Sequence, residues 1–145
     1  ALVKGHLSPL KGAIEGGIAR SRRDRTKMSI SNAPKARNAY TEYEVVKYFN
    51  RASQLNSDLT LLKAFPATGR THQIRVHLAG IGHPVCGDAK YGDKALNKAF
   101  LVYGLNRQFL HALELQLVNP DTKKRISIKS DLYEDLKTVL DSFNS

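Results

Sequence analysis

Apolar and polar positions fall into short blocks along the chain, and each block has the period of one kind of element. Residues 12–21 are glycine-rich and alternating, which is the period of a strand. Residues 40–50 are crowded with β-branched and aromatic side chains (Tyr40, Thr41, Tyr43, Val45, Val46, Tyr48, Phe49) and predict a long strand. A polar turn over residues 51–57 leads to a second strand over 59–65, so the two predict a hairpin. Residues 109–118 alternate through Leu113, Leu115 and Leu117. Asn119-Pro120-Asp121 then turns the chain, and residues 125–129 return as a hairpin partner. Shorter strands are expected over residues 1–4, closed by Gly5, and over 27–31. Residues 71–81 have helical period instead. Ile74, Leu78 and Ile81 form one stripe, Thr71 is placed to cap it, and Gly80, Gly82 and Pro84 stop it. Leu132, Leu136, Val139 and Leu140 mark a terminal amphipathic helix. Residues 83–93, punctuated by Pro84, Gly87, Asp88 and Gly92, predict a structured loop. No repeat, low-complexity run or linker divides the chain. The pattern predicts a single α+β domain with a mixed, largely antiparallel sheet and few helices.

Composition changes that picture in one respect. The 145 residues are 41% hydrophobic and 25% charged, which describes an ordinary globular domain. The charge balance is not ordinary: 23 Lys and Arg stand against 13 Asp and Glu, a formal net charge of +10. An excess of that size points to a polyanionic partner, nucleic acid before others. The single cysteine, Cys86, excludes an internal disulfide and suits a reducing compartment. No apolar run approaches the ~18 residues of a membrane span. Ala1-Leu2-Val3-Lys4-Gly5 is too short an apolar stretch to read as a secretion signal, so a cytoplasmic setting is expected.

On a helical wheel, Arg75 lies beside the apolar stripe of residues 71–81 and shares a face with His72. A guanidinium placed there is partly buried and needs a carboxylate or phosphate. No Asp or Glu lies between Asp58 and Asp88 to supply a local partner. The helix N-terminus adds unpaired N–H groups beside Arg70 and His72, making a small anion-binding corner.

The run Pro66-x-Thr68-Gly69-Arg70-Thr71-His72-Gln73-Ile74-Arg75-Val76-His77-Leu78 is followed by Gly82-His83-Pro84 and Gly87-Asp88-x-x-Tyr91-Gly92. Together these resemble the signature of the RluA-type (ribosomal large subunit) RNA pseudouridine synthases. Ala1–Gly5, Arg23–Met28, Ala39–Tyr43, Leu110-His111-Ala112 and Asn119–Thr122 resemble other segments of the same family, so the likeness extends over essentially the whole chain. The resemblance implies a pseudouridine synthase-like fold and an isomerase that turns uridine into pseudouridine in RNA, mainly ribosomal RNA, without cofactor or metal. It implies that the uridine is flipped out of the RNA, that an Asp acts as nucleophile, and that the Arg matching Arg75 holds that Asp ionised. Arg70, Thr71, His72, Gln73 and Leu110 are expected at the uridine, and Arg22, Arg23, Arg25 and Lys27 on the RNA backbone.

The family's Asp lies in an Arg-Leu-Asp-x-x-Thr-Ser-Gly motif, and these 145 residues contain none. The aspartates present (Asp24, Asp58, Asp88, Asp93, Asp121, Asp131, Asp135, Asp141) have other contexts, and Asp88 reads as a turn former. Tyr40, Tyr43 and Tyr91 do not match the family's base-packing Tyr. The chain therefore reads as the C-terminal portion of a catalytic domain whose part with the nucleophile lies upstream. Alone it is expected to be inactive and to leave a sheet edge at residues 1–4 for that part, or for another chain, to pair with. Two other readings stand beside this one: a non-catalytic RNA-binding relative, and a basic interaction module unrelated to RNA chemistry. His72, His77, His83 and Cys86 match no usual zinc spacing, and no base is spaced to activate Cys86.

Overall fold

The apolar blocks around residue 50 become the centre of the molecule. In the computed structural model, which describes residues 1–50 and 55–143, strand β5 (Tyr40–Phe49) pairs antiparallel with β6 (Leu59–Pro66) from Thr41↔Pro66 to Phe49↔Leu59. β-Branched and aromatic side chains suit this half-buried surface. Thr41, Tyr43, Phe49, Leu59, Thr60 and Leu62 are buried, while Val46 stands out of register at a bulge and is exposed. The turn expected over residues 51–57 lies largely outside the described residues. β1 (Leu2–Lys4) adds to β6 and β2 (Lys11–Glu15) adds to β5, giving the order β1-β6-β5-β2. Every strand pairing among the described residues is antiparallel.

Residues 12–21 do not form one strand. β2 ends at Glu15, and β3 (Ile18–Arg20) pairs with β4 (Met28–Ile30) in a separate hairpin, the basic arm. The break falls at Gly16-Gly17, for a steric reason. A Cβ on Gly16 would lie 2.9 Å from a methyl of Ile30, and one on Gly17 would lie 2.7 Å from the Ser31 carbonyl oxygen. The glycines let the chain pass this crowded point and leave one sheet for another.

The open edge expected at residues 1–4 is also corrected. β1 is flanked by β6 on one side and by Val85 on the other. Lys4 N–H donates to the Pro84 carbonyl (3.0 Å), and Cys86 N–H donates to that of Leu2 (2.9 Å). Leu2 and Val3 are fully buried. The uncovered sheet surface is elsewhere. Among the described residues, β7 (Glu114–Val118) and β8 (Arg125–Lys129) pair only with each other, and Leu115↔Ile128 and Leu117↔Ile126 form an apolar face open to solvent. β7 is shorter than residues 109–118 because Phe109 turns into the core, its N–H donating to Cys86.

Helix α1 (Gln73–Gly80) lies where the periodicity places a helix. α2 (Lys94–Phe100) is capped by the Asp93 carboxylate, which accepts from Leu96 N–H at 2.9 Å. α3 (Glu134–Asp141) is the expected terminal helix. α2 and α3 bring Leu96, Phe100, Leu136 and Val139 together with Leu2, Phe49 and Phe109. Truncating a side chain as buried as Phe100 to Ala costs about 3–5 kcal/mol. No helix among the described residues is long and apolar enough to cross a membrane.

Candidate functional site

α1 begins two residues later than its stripe suggests. His72 sits at the N-cap with φ 57, in the left-handed region, and Thr71 does not cap. Gln73 organises the entry instead. Its Oε1 accepts from Arg70 N–H (3.0 Å) and the Thr68 hydroxyl (2.7 Å), and its Nε2 donates to the Tyr40 carbonyl and Thr41 Oγ1 (3.0 Å each). Gln73 is buried and its amide is committed at both ends, so it holds the Thr68–Arg70 turn in shape while also lining the smaller hollow described below. The buried arc of α1 is Gln73, Val76, His77 and Leu78, while Ile81 is exposed. The arc is wider than one stripe because Leu78 joins the cluster of the main sheet and Val76 joins Ile18 and Ala39 beside the arm. His77 is buried among hydrogen-bond partners, with Nδ1 on Thr41 Oγ1 (2.9 Å) and Nε2 on the Gly16 carbonyl (3.2 Å).

Arg75 has a carboxylate partner within the chain, which overturns the expectation that the partner lies outside it. Nε and Nη2 each donate at 2.7 Å to the two oxygens of Asp88, which is fully buried. Asp88 Oδ1 also accepts from the N–H groups of Lys90 (2.9 Å) and Tyr91 (3.0 Å), as a turn-forming Asp does. Burial pushes the Asp88 pKa up, but the bonds from Arg75, Tyr91 and Lys90 outweigh it and hold the carboxyl below its ordinary value. The chain reaches Asp88 through Gly87 at φ +73, where a side chain would collide with the Arg107 carbonyl.

Tyr91, not expected at the site, stands at its centre. Its ring lies 5.0 Å from the Arg75 guanidinium, and its hydroxyl is 2.8 Å from His72 Nδ1 and 2.9 Å from Met28 N–H. Burial, then Arg75 and Lys90, lower the His72 pKa. The signal in the sequence was the Gly87-Asp88-x-x-Tyr91-Gly92 motif, but its meeting with His72 is a product of the fold.

Two adjoining hollows open beside this corner. The larger, about 1220 Å³, runs between the arm and the Gly69–Thr71 turn. Arg20, Arg22, Arg23, Lys35, Arg37 and Arg70 line it, and no acidic residue does. Of the expected backbone contacts, Arg22 and Arg23 line it and Arg25 and Lys27 do not. The Arg25 carbonyl accepts from Arg20, and Lys27 lies 3.9 Å from Asp24. Lys35 and Arg37 were missed, although residues 28–41 contain basic and no acidic side chains. The smaller hollow, about 190 Å³, shares Gly69 and Arg70 with the larger and adds His72, Arg75 and Leu110. Thr71 lines the larger one. The smaller hollow thus brings together Arg70, His72, Gln73, Arg75 and Leu110, five of the residues singled out in the sequence.

The remaining candidates stand apart. Cys86 is buried, which pushes its thiol pKa up and away from nucleophile chemistry. His83 Nδ1 is 2.9 Å from the Lys4 carbonyl. Among the described residues no three His, Cys, Asp or Glu converge as metal ligands.

Comparison with known proteins bears on the family and the fold. A family model described as RNA pseudouridylate synthase matches residues 1–80. An uncharacterized RNA pseudouridine synthase of Mycobacterium bovis is 40% identical over 141 residues, covering 97% of this chain and 42% of that protein. The ribosomal large subunit pseudouridine synthase C of Haemophilus ducreyi is 35% identical over 144 residues, covering 97% and 42%. Among solved structures, human RNA pseudouridylate synthase domain containing 1 superposes with a TM-score of 0.76 at 25% identity, over 96% of this chain and 56% of that one. Human RNA pseudouridylate synthase domain containing 4 gives 0.69 at 25% identity, over 99% and 60%. The chain spans less than half the length of the curated relatives it matches.

Proposed function

We propose, from the premise that this chain belongs to the RNA pseudouridylate synthase family, that it forms the RNA-holding part of a cytoplasmic isomerase acting on uridine in RNA, large-subunit ribosomal RNA first. The observation behind the reading is the cleft. Six cations line a cleft with no acidic residue on its walls among the described residues, and it leads into a small hollow where Arg75, His72 and Leu110 meet. The cleft suits a phosphate backbone, and the hollow suits one flipped base at its end. In the reaction the N1–C1′ bond breaks, the uracil turns, and C5 bonds to C1′; the C5 hydrogen leaves as a proton and N1 gains one. The nucleophilic carboxylate comes, on this reading, from polypeptide other than these 145 residues. Arg75 then faces two carboxylates. Asp88 fixes two of its nitrogens from behind, as Asp88 is not among the residues lining the hollow, and Nη1 remains for the nucleophile.

The same reading gives the apolar face of β7–β8 a partner. A two-stranded hairpin is marginal in water by itself, and four aliphatic side chains on one open face suit the rest of the same catalytic domain.

The test is pseudouridine mapping on large-subunit ribosomal RNA. No turnover is expected from these 145 residues alone, and turnover is expected when the rest of a relative's catalytic domain is joined to them. Turnover by the chain alone removes the need for an outside carboxylate. RNA binding is expected to weaken, and its log–log salt slope to flatten by about 2, when Arg22, Arg23 and Arg37 are all changed to Gln. An unchanged slope removes the cleft from the interface. The Arg75–Asp88 pair also favours a second reading, a non-catalytic RNA-binding relative, since the Arg75 charge already has a carboxylate partner without a nucleophile. Binding without turnover in the joined protein selects that second reading.

A further inference from the structure

The arm that forms one wall of the cleft is held to the rest of the protein along its length: Ile18 exchanges backbone hydrogen bonds with Arg37 and packs with Val76 and Ala39. Near its base, Ile30 seats against Gly16 and Gly80; a Cβ on Gly80 would collide with the Ile30 side chain. At its other end, Met28 pairs with Arg20, the last pair before the basic loop, and there the Met28 N–H bonds to the Tyr91 hydroxyl. The Tyr91 bond adds a tie at the end of the hairpin next to the basic loop.

The hydroxyl has one proton to place. Its oxygen accepts from Met28 N–H at 2.9 Å, and a backbone N–H can only donate. Every hydrogen finds a place when the Tyr91 hydroxyl donates across the 2.8 Å contact to His72 Nδ1. The opposite assignment, with a proton on Nδ1, leaves the Tyr91 hydrogen without a place in this pair of bonds. That assignment makes His72 the neutral tautomer with its proton on Nε2. Nε2–H is then the one donor left to a ring that lines the hollow. The lowered His72 pKa, from burial and then from Arg75 and Lys90, agrees with a neutral ring.

We propose that Tyr91 is a positioning residue of this RNA site: one hydroxyl sets the basic arm against α1 and presents His72 to the hollow as a neutral Nε2–H donor. The inference rests on the RNA-binding reading above. Tyr91 need not touch RNA, because it acts through Met28 and His72. Its ring, stacked beside Arg75, is a separate packing role that Phe would keep.

The experiment is Tyr91→Phe, with His72→Asn as its control. Asn tolerates the left-handed backbone of position 72, and that variant leaves the Tyr91–Met28 bond in place. Three quantities are measured on each protein: the His72 tautomer by nitrogen NMR, the exchange rate of the Met28 amide, and affinity for a fluorescently labelled uridine-rich single-stranded RNA. In Tyr91→Phe the Nδ1–H tautomer is expected to appear. The Met28 amide should exchange about tenfold faster and RNA affinity should fall about tenfold, the size of one hydrogen bond's net effect. In His72→Asn the Met28 amide should stay protected. An unchanged tautomer and amide in Tyr91→Phe overturn the proposal, as does faster Met28 exchange with unchanged RNA affinity. If the parent protein binds no RNA, the RNA reading itself fails, and the two NMR readouts still report whether the latch exists.

Discussion

The molecule contains the same four-residue constellation twice. In one, Arg75 pairs side-on with Asp88 at 2.7 and 2.7 Å, lies 5.0 Å from the Tyr91 ring, and Tyr91 meets His72 edge to face at 5.5 Å. In the other, Arg107 pairs side-on with Asp135 at 2.7 and 2.9 Å, lies 5.7 Å from the Tyr133 ring, and Tyr133 meets His111 edge to face at 5.0 Å. Distances alone do not tell them apart. Surroundings do. The Asp88 side chain is 0% exposed and accepts two backbone N–H groups as well as the guanidinium, whereas Asp135 is 43% exposed. Tyr91 spends its hydroxyl on the arm and on His72, whereas Tyr133 is 61% exposed. The first set ties three segments together beside a cleft. The second is a surface clasp between α3 and the loop before β7. Identical pair geometry therefore says little about role until burial and the remaining bonds of each partner are counted.

Breaking the two pairs should separate them most widely. Asp88→Asn leaves a half-buried guanidinium facing a neutral amide, and the expected loss is about 3–5 kcal/mol. Asp135→Asn should cost at most about 1 kcal/mol, because water screens that pair. Urea unfolding of both variants checks this, and equal losses would erase the contrast. Acid should reproduce part of it. The Asp88 carboxyl is held below its ordinary value of 3.8 when folded, so the unfolded chain takes up its proton first as pH falls. Its stabilisation is complete above that value and is lost below it, as pH falls through the folded pKa. The gap in urea midpoint between parent and Asp88→Asn should therefore narrow below about pH 4. The smallest effect distinguishes the two tyrosines. Tyr91→Phe should lose about 1 kcal/mol with its hydrogen bonds, and Tyr133→Phe should change unfolding little.

Much of this was legible beforehand, and the failures share a cause. The β5–β6 and β7–β8 hairpins, α1 and α3 follow from period and turn chemistry, which are local. Gly16-Gly17 looked like the middle of a strand because its meaning lies in Ile30 and Ser31, which only the fold brings near. α1 was assigned too narrow a buried face because it packs on both the sheet and the arm. The parts played by Gln73 and Tyr91 were hidden for the same reason. A buried amide with four partners and a hydroxyl shared between two distant segments cannot be seen from neighbours in sequence.

The sequence by itself determined the family, through an uninterrupted motif around Thr68–Leu78, and the basic character of the chain, through uncompensated charge. Both are properties of order and composition. The tertiary structure decided which carboxylate Arg75 holds, which cations line the cleft, and where the open sheet surface lies. Each of those depends on distances of a few ångströms between residues far apart in the chain. Asp88 stands 13 positions from Arg75 and Met28 stands 63 from Tyr91. No period or propensity encodes which of the possible long-range partners is met; packing around β5, β6 and α1 does.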